Sequence, residues 1–296
     1  MDKKNFVYLN GSIAAEKRAL ISVFDRGFNY GDGVFETIKA INAKPIFLYE
    51  HLQRMKQGIK AMGIRQVLLK NLFQDIKNNA IDRLVRQNNL GGCASAVRIT
   101  VSRGTDPFGY MPGDSTPATV ITCRPIDAKL SGRLQEKGVE AVFLRDLSPV
   151  LPGVKSLNFL PNILGKKQAG DKKAFEGLFV NRDNMVTEGT ATNIFIVAKS
   201  TLYTAPAYPV CPIHEGALNG VIRSKVILVA RRLNIKVKEA FFCERDLINA
   251  DEAFLTNSII DVVPLVAIEK KPIKNGCPGE ITKRIQCAIS ALSKTR

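Results

Sequence analysis

The sequence predicts a two-domain α+β protein. Three observations carry that expectation. The chain has 296 residues, which suits two modest domains or one large one. Short strand-like runs are mixed with amphipathic helical stretches along its whole length. Near the middle, Pro125–Arg133 is polar and carries Pro, Asp and Ser-Gly, the composition of a boundary. The expected division is an N-terminal α+β domain over 1–125, an interdomain linker over 126–133, and a strand-rich C-terminal domain with helices over 134–296.

Taken in order, Phe6–Leu9 alternates like a strand and meets the hairpin signal Asn10-Gly11. Gly-Asp-Gly leads into a mixed apolar strand ending near Asn42. Leu52, Met55, Ile59 and Met62 fall at helical spacing within 49–62, and 68–88 reads as a second amphipathic helix. Ala96–Val101 and Ala118–Cys123 read as strands. Beyond the boundary, Val139–Leu144 is strand-like, and 158–169 is helical with Pro161 tolerated in its first turn. Short strands follow at 177–180, 192–197 and 202–204, then a helix over 219–233. Strands at 252–256 and 262–268 and a closing helix over 279–293 complete the chain.

Composition narrows the class. Hydrophobic residues make up 45% and charged residues 24%, as in ordinary soluble proteins. No apolar run approaches the length of a bilayer span and no signal peptide is visible, so the protein is expected in the cytosol. The six cysteines have no C-x-x-C spacing, and neither histidine, His51 or His214, neighbours a Cys or Asp cluster. Buried reduced thiols and no metal site are expected. The net charge of +16 comes from Lys and Arg spread in small doublets. No basic stripe or nucleic-acid motif accompanies it, so a solvated basic surface is expected first, steering of a small anionic substrate second and nucleic-acid binding last, with no membrane partner.

One lysine has a distinctive setting. Lys155 follows Leu151-Pro152-Gly153-Val154 and precedes Ser156-Leu157-Asn158, just after a turn and just before the predicted helix. Apolar neighbours and a helix N-terminus both favour the neutral amine, which is the nucleophile in Schiff-base chemistry. The same pattern also describes an ordinary surface lysine, and the physics alone does not choose.

The surrounding motifs do. Gly153-Val154-Lys155-Ser156-Leu157-Asn158, then Val186-Thr187-Glu188-Gly189 and Asn193-Ile194-Phe195, resemble the fold-type-IV enzymes that use pyridoxal 5′-phosphate (PLP). So do Asp25-Arg26-Gly27 with Tyr30-Gly31-Asp32-Gly33-Val34-Phe35-Glu36, His51-Leu52-Gln53-Arg54, Asn219-Gly220-Val221-Ile222-Arg223, and Thr256-Asn257-Ser258 before Pro264. The resemblance covers almost the entire chain in order. It implies the two-domain fold of the D-amino-acid aminotransferase type, with 134–296 as the PLP-binding domain.

Its implied roles are chemically coherent. Lys155 would hold the cofactor as a Schiff base and move protons at the substrate carbon. Glu188 would face the pyridine nitrogen and keep it protonated. Arg54 would grip the phosphate, a task suited to a guanidinium. The N–H groups of Val221 and Ile222 would cradle the same phosphate at a helix start, Ser258 would add a hydroxyl, and Leu218 would lie against the ring. Substrate contacts would come from Phe35, Arg98, Tyr110 and Asn257. The resemblance also implies a homodimer, with 103–113 as the segment crossing to the neighbour.

Within that family the sequence favours a 4-amino-4-deoxychorismate lyase. Leu160 stands where branched-chain aminotransferases have a tyrosine five residues after the lysine, and Thr256-Asn257 replaces their Gly-Thr. Phe108 and Tyr110 stand where D-amino-acid aminotransferases place an arginine and a histidine, and Phe35 replaces a tyrosine. Asn257-Ser258 before Val263-Pro264, Gly220-Val221-Ile222-Arg223, and Ser102-Arg103-Gly104 with Gly109-Tyr110 look like the lyases. The match departs at Phe108, where a lyase often carries an arginine. Arg98, Arg103 and Tyr110 are the candidate carboxylate partners. The lyase would release pyruvate and p-aminobenzoate. The alternative is a class-IV aminotransferase acting on D-amino or branched-chain amino acids, and the remote one is a cofactor-less binding protein on the same scaffold.

Overall fold

The computed structural model describes residues 5–106 and 109–294. The chain divides into two compact units. The first runs to Asp127 and also takes Val154–Asn158; the second takes Ala128–Gly153 and continues from Phe159.

The first unit begins with strands β1 (Phe6–Leu9) and β2 (Ser12–Ala15). Asn10 and Gly11 join them with φ of 46° and 100°, and Leu9 pairs with Ser12. That is the two-residue hairpin Asn-Gly favours, since both central residues need positive φ. Helix α1 (Arg26–Tyr30) is capped by the Asp25 carboxylate, which accepts the Phe28 N–H at 3.1 Å. Strands β3 (Gly33–Ile41) and β4 (Lys44–Pro45) follow, then helices α2 (Leu48–Ala61), α3 (Lys70–Lys77) and α4 (Ala80–Gln87), then strands β5 (Ala94–Ser102) and β6 (Thr119–Pro125). The strands form an antiparallel sheet in the order β2-β1-β6-β5-β3-β4. Its inward side chains include Ile38, Ile99 and Ile121, which are fully buried, and Met55 and Ile59 of α2 are buried as their spacing predicts.

The single helix expected over 68–88 is two helices. The break lies at Asn79, whose φ is 64°, a conformation asparagine adopts more readily than most residues. Leu72, Ile76, Ile81, Leu84 and Val85 are all buried. The apolar spacing runs straight across the break, so periodicity does not reveal it.

Val154–Asn158 joins this unit as a short extra strand. The Phe35 N–H donates to the Lys155 carbonyl at 2.9 Å, and the Leu157 N–H donates to the Gly33 carbonyl at 2.8 Å, with Val34 bridged to Ser156. β4 pairs with β3 only at Ala40 and Ile41, so the early half of that edge is open to take the segment. Gly33 permits the approach. A Cβ there would lie 2.4 Å from the Val101 carbonyl oxygen and 2.7 Å from Leu157 Cδ1.

The second unit comprises α5 (Ala128–Lys137), β7 (Val139–Leu144), α6 (Leu160–Asp171), β8 (Glu176–Val180), β9 (Met185–Gly189), β10 (Asn193–Ala198), β11 (Thr201–Thr204), α7 (Val221–Arg232), β12 (Lys236–Glu239), β13 (Phe242–Cys243), α8 (Glu244–Ile248), β14 (Glu252–Asn257), β15 (Asp261–Ile268), β16 (Lys271–Pro272) and α9 (Glu280–Lys294). Its sheet runs β12-β11-β10-β14-β15-β7-β8-β9-β13, with β16 on β15. The β11–β12, β15–β7 and β7–β8 pairs are parallel and the rest antiparallel. β8 and β10 are buried nearly end to end, which is why they read as apolar runs and not as alternation. Leu178, Val186, Ile194, Leu255 and Val263 form part of the core.

Three local expectations change here. The polar segment 126–133 is not all coil: α5 starts at Ala128, and it reads like a linker because none of its residues is buried. α6 starts at Leu160, with Pro161 in its first turn. Lys155 therefore lies on the extra strand and does not lead directly into a helix. The cysteines, expected to be buried, are not: Cys93, Cys277 and Cys287 are exposed and Cys123, Cys211 and Cys243 half-buried. Val186, Thr187 and Glu188 lie in strand β9, all three buried. Among the described residues no helix is long and apolar enough to cross a membrane.

Candidate active site

In the first unit the site residues gather around Phe35, a side chain only 4% exposed. The Lys155 Nζ lies 4.4 Å from the centre of its ring, and the Arg98 Cζ lies 3.7 Å from it. Sheet register explains the second contact. β3 and β5 pair Phe35 with Thr100 and Thr37 with Arg98, so Arg98 is a diagonal neighbour of Phe35. The first contact follows from the extra strand, which pairs the backbone of Lys155 with that of Phe35. Each cation is held over a π-system, worth roughly 0.5–2 kcal/mol. Part of Arg98 reaches solvent, yet desolvation of its guanidinium, with Arg124 nearby, pulls its pKa below the ordinary arginine value. It stays charged at physiological pH.

Next to Phe35 in sequence, Glu36 is completely buried. Helix α2 presents His51 and Arg54, three residues apart on one face. Arg54 donates from Nε to Oε1 at 2.8 Å and from Nη2 to Oε2 at 2.7 Å; His51 Nδ1 meets Oε2 at 2.7 Å. Burial alone would raise the Glu36 carboxyl. The charge and paired N–H groups of Arg54, with the His51 hydrogen bond, outweigh it and hold the pKa at about 2. Burial pushes His51 down from its usual 6.5 and outweighs the pull of Glu36, with the charges of Arg54 and Lys155 acting in the same direction as burial. At neutral pH His51 is an uncharged ring donating its Nδ1–H to Glu36. The edge of Arg54 expected to be open to a phosphate is thus partly taken up by Glu36.

The loop after β5 is organised separately. Arg103 donates to Asp32 from Nε at 2.7 Å and from Nη2 at 3.1 Å, and to the Met62 and Gly63 carbonyls at 2.5 and 3.0 Å. These bonds commit Arg103 to the scaffold and remove it as a carboxylate partner. Arg26 donates to Asp32 at 2.9 Å and to the Gly109 and Tyr110 carbonyls, each at 2.9 Å. Tyr110 is 87% exposed, with its ring 5.7 Å from that of Tyr30. These contacts tie Tyr110 to α1 and do not join it to the Phe35 cluster. Phe108, at the position where the family comparison expects a substrate-binding arginine, lies outside the described residues.

In the second unit, Glu188 is buried at the end of β9. Its Oε2 accepts the Leu218 N–H at 2.9 Å and the Asn193 Nδ2 at 3.5 Å, and Asn193 also donates to the Leu218 carbonyl at 2.8 Å. Two residues on, Gly220 precedes α7. A Cβ on Gly220 would lie 2.0 Å from the Asn193 Oδ1. Having no side chain, Gly220 leaves the first turn, Val221 and Ile222, without a side-chain cap. α7 packs on β14, whose Thr256 carries a buried hydroxyl with no hydrogen-bond partner among the described residues. Asn257, expected at the substrate, uses its amide on the scaffold: Nδ2 donates to the Ala191 carbonyl at 3.1 Å, and Oδ1 accepts the Ile259 and Ile260 N–H groups at 2.8 and 2.9 Å. It shapes the turn that carries Ser258. Glu36, His51, Asn193 and Thr256 fall within the sequence motifs, yet the motifs do not single them out as site residues. The i, i+3 spacing of His51 and Arg54 is the one sequence signal of the buried carboxylate between them.

A unit with a mixed parallel and antiparallel sheet and an antiparallel α+β unit, with these motifs in place, define a class of enzyme, and comparison with known proteins names it. The family model for amino-transferase class IV matches residues 33–268. The chain belongs to that family, whose members are fold-type-IV, PLP-dependent enzymes. A Methanocaldococcus jannaschii protein, provisionally named a branched-chain-amino-acid aminotransferase, is 34% identical over 284 residues, covering 95% of this chain and 93% of its own. The D-alanine aminotransferase of Bacillus licheniformis is 30% identical over 292 residues, 98% of each chain. The aminodeoxychorismate lyase of Bacillus subtilis is 29% identical over 281 residues, 95% of this chain and 92% of its own. Among solved structures, the branched-chain amino acid aminotransferase of Escherichia coli matches with a TM-score of 0.86 at 24% identity over 98% of this chain and 95% of that one. The 4-amino-4-deoxychorismate lyase of Pseudomonas aeruginosa matches with a TM-score of 0.78 at 26% identity, over 96% of this chain and 98% of that one.

Two features of the second unit suit a phosphorylated pyridine. An uncapped helix start beside a buried, unmatched hydroxyl is what a phosphate uses, and a buried carboxylate is what a protonated ring nitrogen uses.

The Glu36 cluster makes a prediction about acid stability. The folded pKa of Glu36 lies below its unfolded value of about 4.5, so its contribution is complete above pH 4.5 and is lost as pH falls toward 2. The depressed His51 has the same sign: its contribution is present above pH 6.5 and declines below it. Glu36→Ala should cost about 3–5 kcal/mol at pH 7, because it removes the buried carboxylate that Arg54 and His51 share, and should flatten the acid limb of the stability curve. Urea denaturation from about pH 7 to pH 3 measures both. An unchanged acid limb in the variant would contradict this account.

Proposed function

We propose that this chain is a PLP-dependent aminotransferase that moves an amino group between a small amino acid and a 2-oxo acid. The observation that carries the reading is the pairing of Arg98 and Lys155 on the Phe35 ring. A transaminase must hold the substrate α-carboxylate firmly to aim its Cα–H bond, and loss of that aim costs orders of magnitude in rate. The sequence alone favours a lyase on Leu160, Phe35, Phe108 and Asn257-Ser258 together, with no arginine clamp at Phe108. Arg98 is a guanidinium sharing an aromatic ring with the reactive amine, so the clamp does not have to come from the position of Phe108.

The bound cofactor would supply an electron sink for the pair released when the Cα–H bond breaks. Lys155 would carry the covalent link in the resting enzyme and afterwards take and return the proton at the substrate Cα. The Phe35 ring under its ε-amino group limits the directions it can take. Arg98 would bind the substrate carboxylate. The Glu36–His51 pair would fix the orientation of Arg54, which would face the phosphate. In the second unit, Glu188 would keep the ring nitrogen protonated, steadied by the Leu218 N–H. The Val221 and Ile222 N–H groups and the Ser258 hydroxyl, joined by Thr256, would hold the phosphate. Leu218 would lie on the ring. The surplus of positive charge suits a small anionic substrate.

The lyase reading is the second one, favoured by Leu160 in place of a tyrosine and by the Bacillus subtilis relative. We also infer a homodimer. Leu20, Val23, Phe24, Phe28, Tyr110 and Met111 are exposed apolar side chains of the first unit, and the face of a partner copy would cover them. Closed two-fold dimers are the commonest way to cover such side chains. The apolar tip of 103–113, with Tyr110 and Met111, would be the crossing segment.

Absorbance of the holoenzyme, mixed in turn with L- and D-amino acids and with aminodeoxychorismate, separates the readings. One or more amino acids should convert the bound cofactor to its pyridoxamine form, with turnover once a 2-oxo acid is added. Arg98→Ala should lower kcat/KM on the order of 100-fold with PLP content unchanged. Pyruvate released from aminodeoxychorismate, with no conversion by any amino acid, would establish the lyase instead. Light scattering of the same preparation should give twice the chain mass; a fully active monomer would rule out the dimer.

A further inference from the structure

Glu176 stands on β8, completely buried, twelve residues before Glu188 in the chain and outside every motif read from the sequence. It carries an unusual number of bonds. Its Oε1 accepts the Gly177 N–H at 3.0 Å and the Thr190 hydroxyl, with Lys166 Nζ 3.5 Å away. Its Oε2 accepts the Thr192 hydroxyl at 3.1 Å and the Ala191 N–H at 3.3 Å. Three consecutive residues of the turn after β9 are therefore held by one carboxylate. The turn is also closed on itself, since the Gly189 N–H donates to the Thr192 carbonyl at 2.7 Å, and Asn162 of α6 donates to the Thr190 carbonyl at 2.8 Å.

The turn has Glu188 and Asn193 at its two ends, and these meet at Leu218. The carbonyl of its middle residue, Ala191, accepts the Asn257 amide that shapes the turn bearing Ser258. No space is spare: a Cβ on Gly189 would lie 2.2 Å from the Thr192 Oγ1 and 2.9 Å from the Glu176 Cγ. A shift of the Thr190–Thr192 backbone must therefore move Glu188 at one side and the Asn257 loop at the other.

We infer that Glu176 is a positioning residue for the cofactor, acting through the Thr190–Ala191–Thr192 turn to set both Glu188 and the Asn257–Ser258 loop. The inference rests on the reading of Glu188 as the partner of the ring nitrogen. Bonding explains why a carboxylate is needed. The turn offers two hydroxyls and an N–H, all able to donate, and only an acceptor with two oxygens can take all of them together with the Gly177 N–H. A glutamine of the same shape would turn an NH2 group toward one set of donors and leave them unpaired.

Equilibrium dialysis of PLP from the holoenzyme, and its visible absorption as a function of pH, test this. Glu188→Gln should weaken PLP binding and shift the band, because the ring nitrogen loses its carboxylate. Glu176→Gln should shift the band in the same direction and raise the dissociation constant for PLP by roughly 10-fold or more, and the double variant should add little to Glu188→Gln alone. Thr190→Val, which deletes one donor and spares the carboxylate, should act as a weaker Glu176→Gln and carries the test if that variant fails to fold. Thr190→Ser should restore the wild-type band. A Glu176→Gln or Thr190→Val protein with a lowered melting temperature but an unchanged band and unchanged PLP affinity would overturn the inference. So would full additivity with Glu188→Gln. If Glu188→Gln itself moved neither quantity, the reading of Glu188 would fall, and the inference with it.

Discussion

Strand β3 is paired on one side along its whole length and on the other only at its far end, which leaves backbone groups near Gly33 and Phe35 in need of partners. Val154–Asn158 supplies them through two hydrogen bonds. A typical bond of this kind stabilises by about 0.5–1.5 kcal/mol, and leaving such a buried group unmet costs about 1–3 kcal/mol. The pairing matters more for position than for energy. In a strand the backbone register determines where each side chain goes, so pairing Lys155 with Phe35 brings the amine to the Phe35 ring. The same ring receives Arg98 because β5 is in register on the other side. The Lys155 amine and the Arg98 guanidinium are thus set against one aromatic side chain by ladder hydrogen bonds, with no dedicated loop.

Two fully buried carboxylates support the site residues, and they are stabilised differently. Glu36 faces a guanidinium and an imidazole, and its ionised form is held by charge. Glu176 is surrounded mainly by hydroxyl and amide donors, with one lysine at its edge. The difference fits what each has to hold. Arg54 carries its own charge, so a charged partner orients it while neutralising the interior. The Thr190–Thr192 turn is neutral and needs an acceptor with several lone pairs. Either carboxylate would be expensive without its partners, and each ties together residues from more than one element.

Much of this is legible in the sequence. Asn10-Gly11 announces its hairpin, Met55 and Ile59 announce the buried face of α2, and the motifs around Lys155 and Glu188 announce the family. The failures have physical causes. Asn79 interrupts a helix without interrupting its apolar stripe. α5 has no fully buried residue and meets the core through partly buried Leu134, so its composition resembles a linker. No strand is read at Val186-Thr187-Glu188 because two of its three residues are polar, and only hydrogen bonds to other segments make their burial tolerable. Arg103 looks as available to a substrate as Arg98. Nothing local distinguishes them, because the partners of Arg103 are Asp32 and the end of α2, far away in sequence. Glu176 is invisible for the same reason: its role lies in a turn that the sequence places a dozen or so residues away.

The central claim is that one lysine of a lysine-rich chain, Lys155, carries the cofactor. Borohydride reduction of the purified protein, followed by proteolysis and mass spectrometry, addresses it directly. The pyridoxyl group should appear on the peptide containing Gly153-Val154-Lys155-Ser156 and should be absent from Lys155→Ala. A stable label on any other lysine, or a wild-type protein that takes no label after incubation with PLP, would contradict the account.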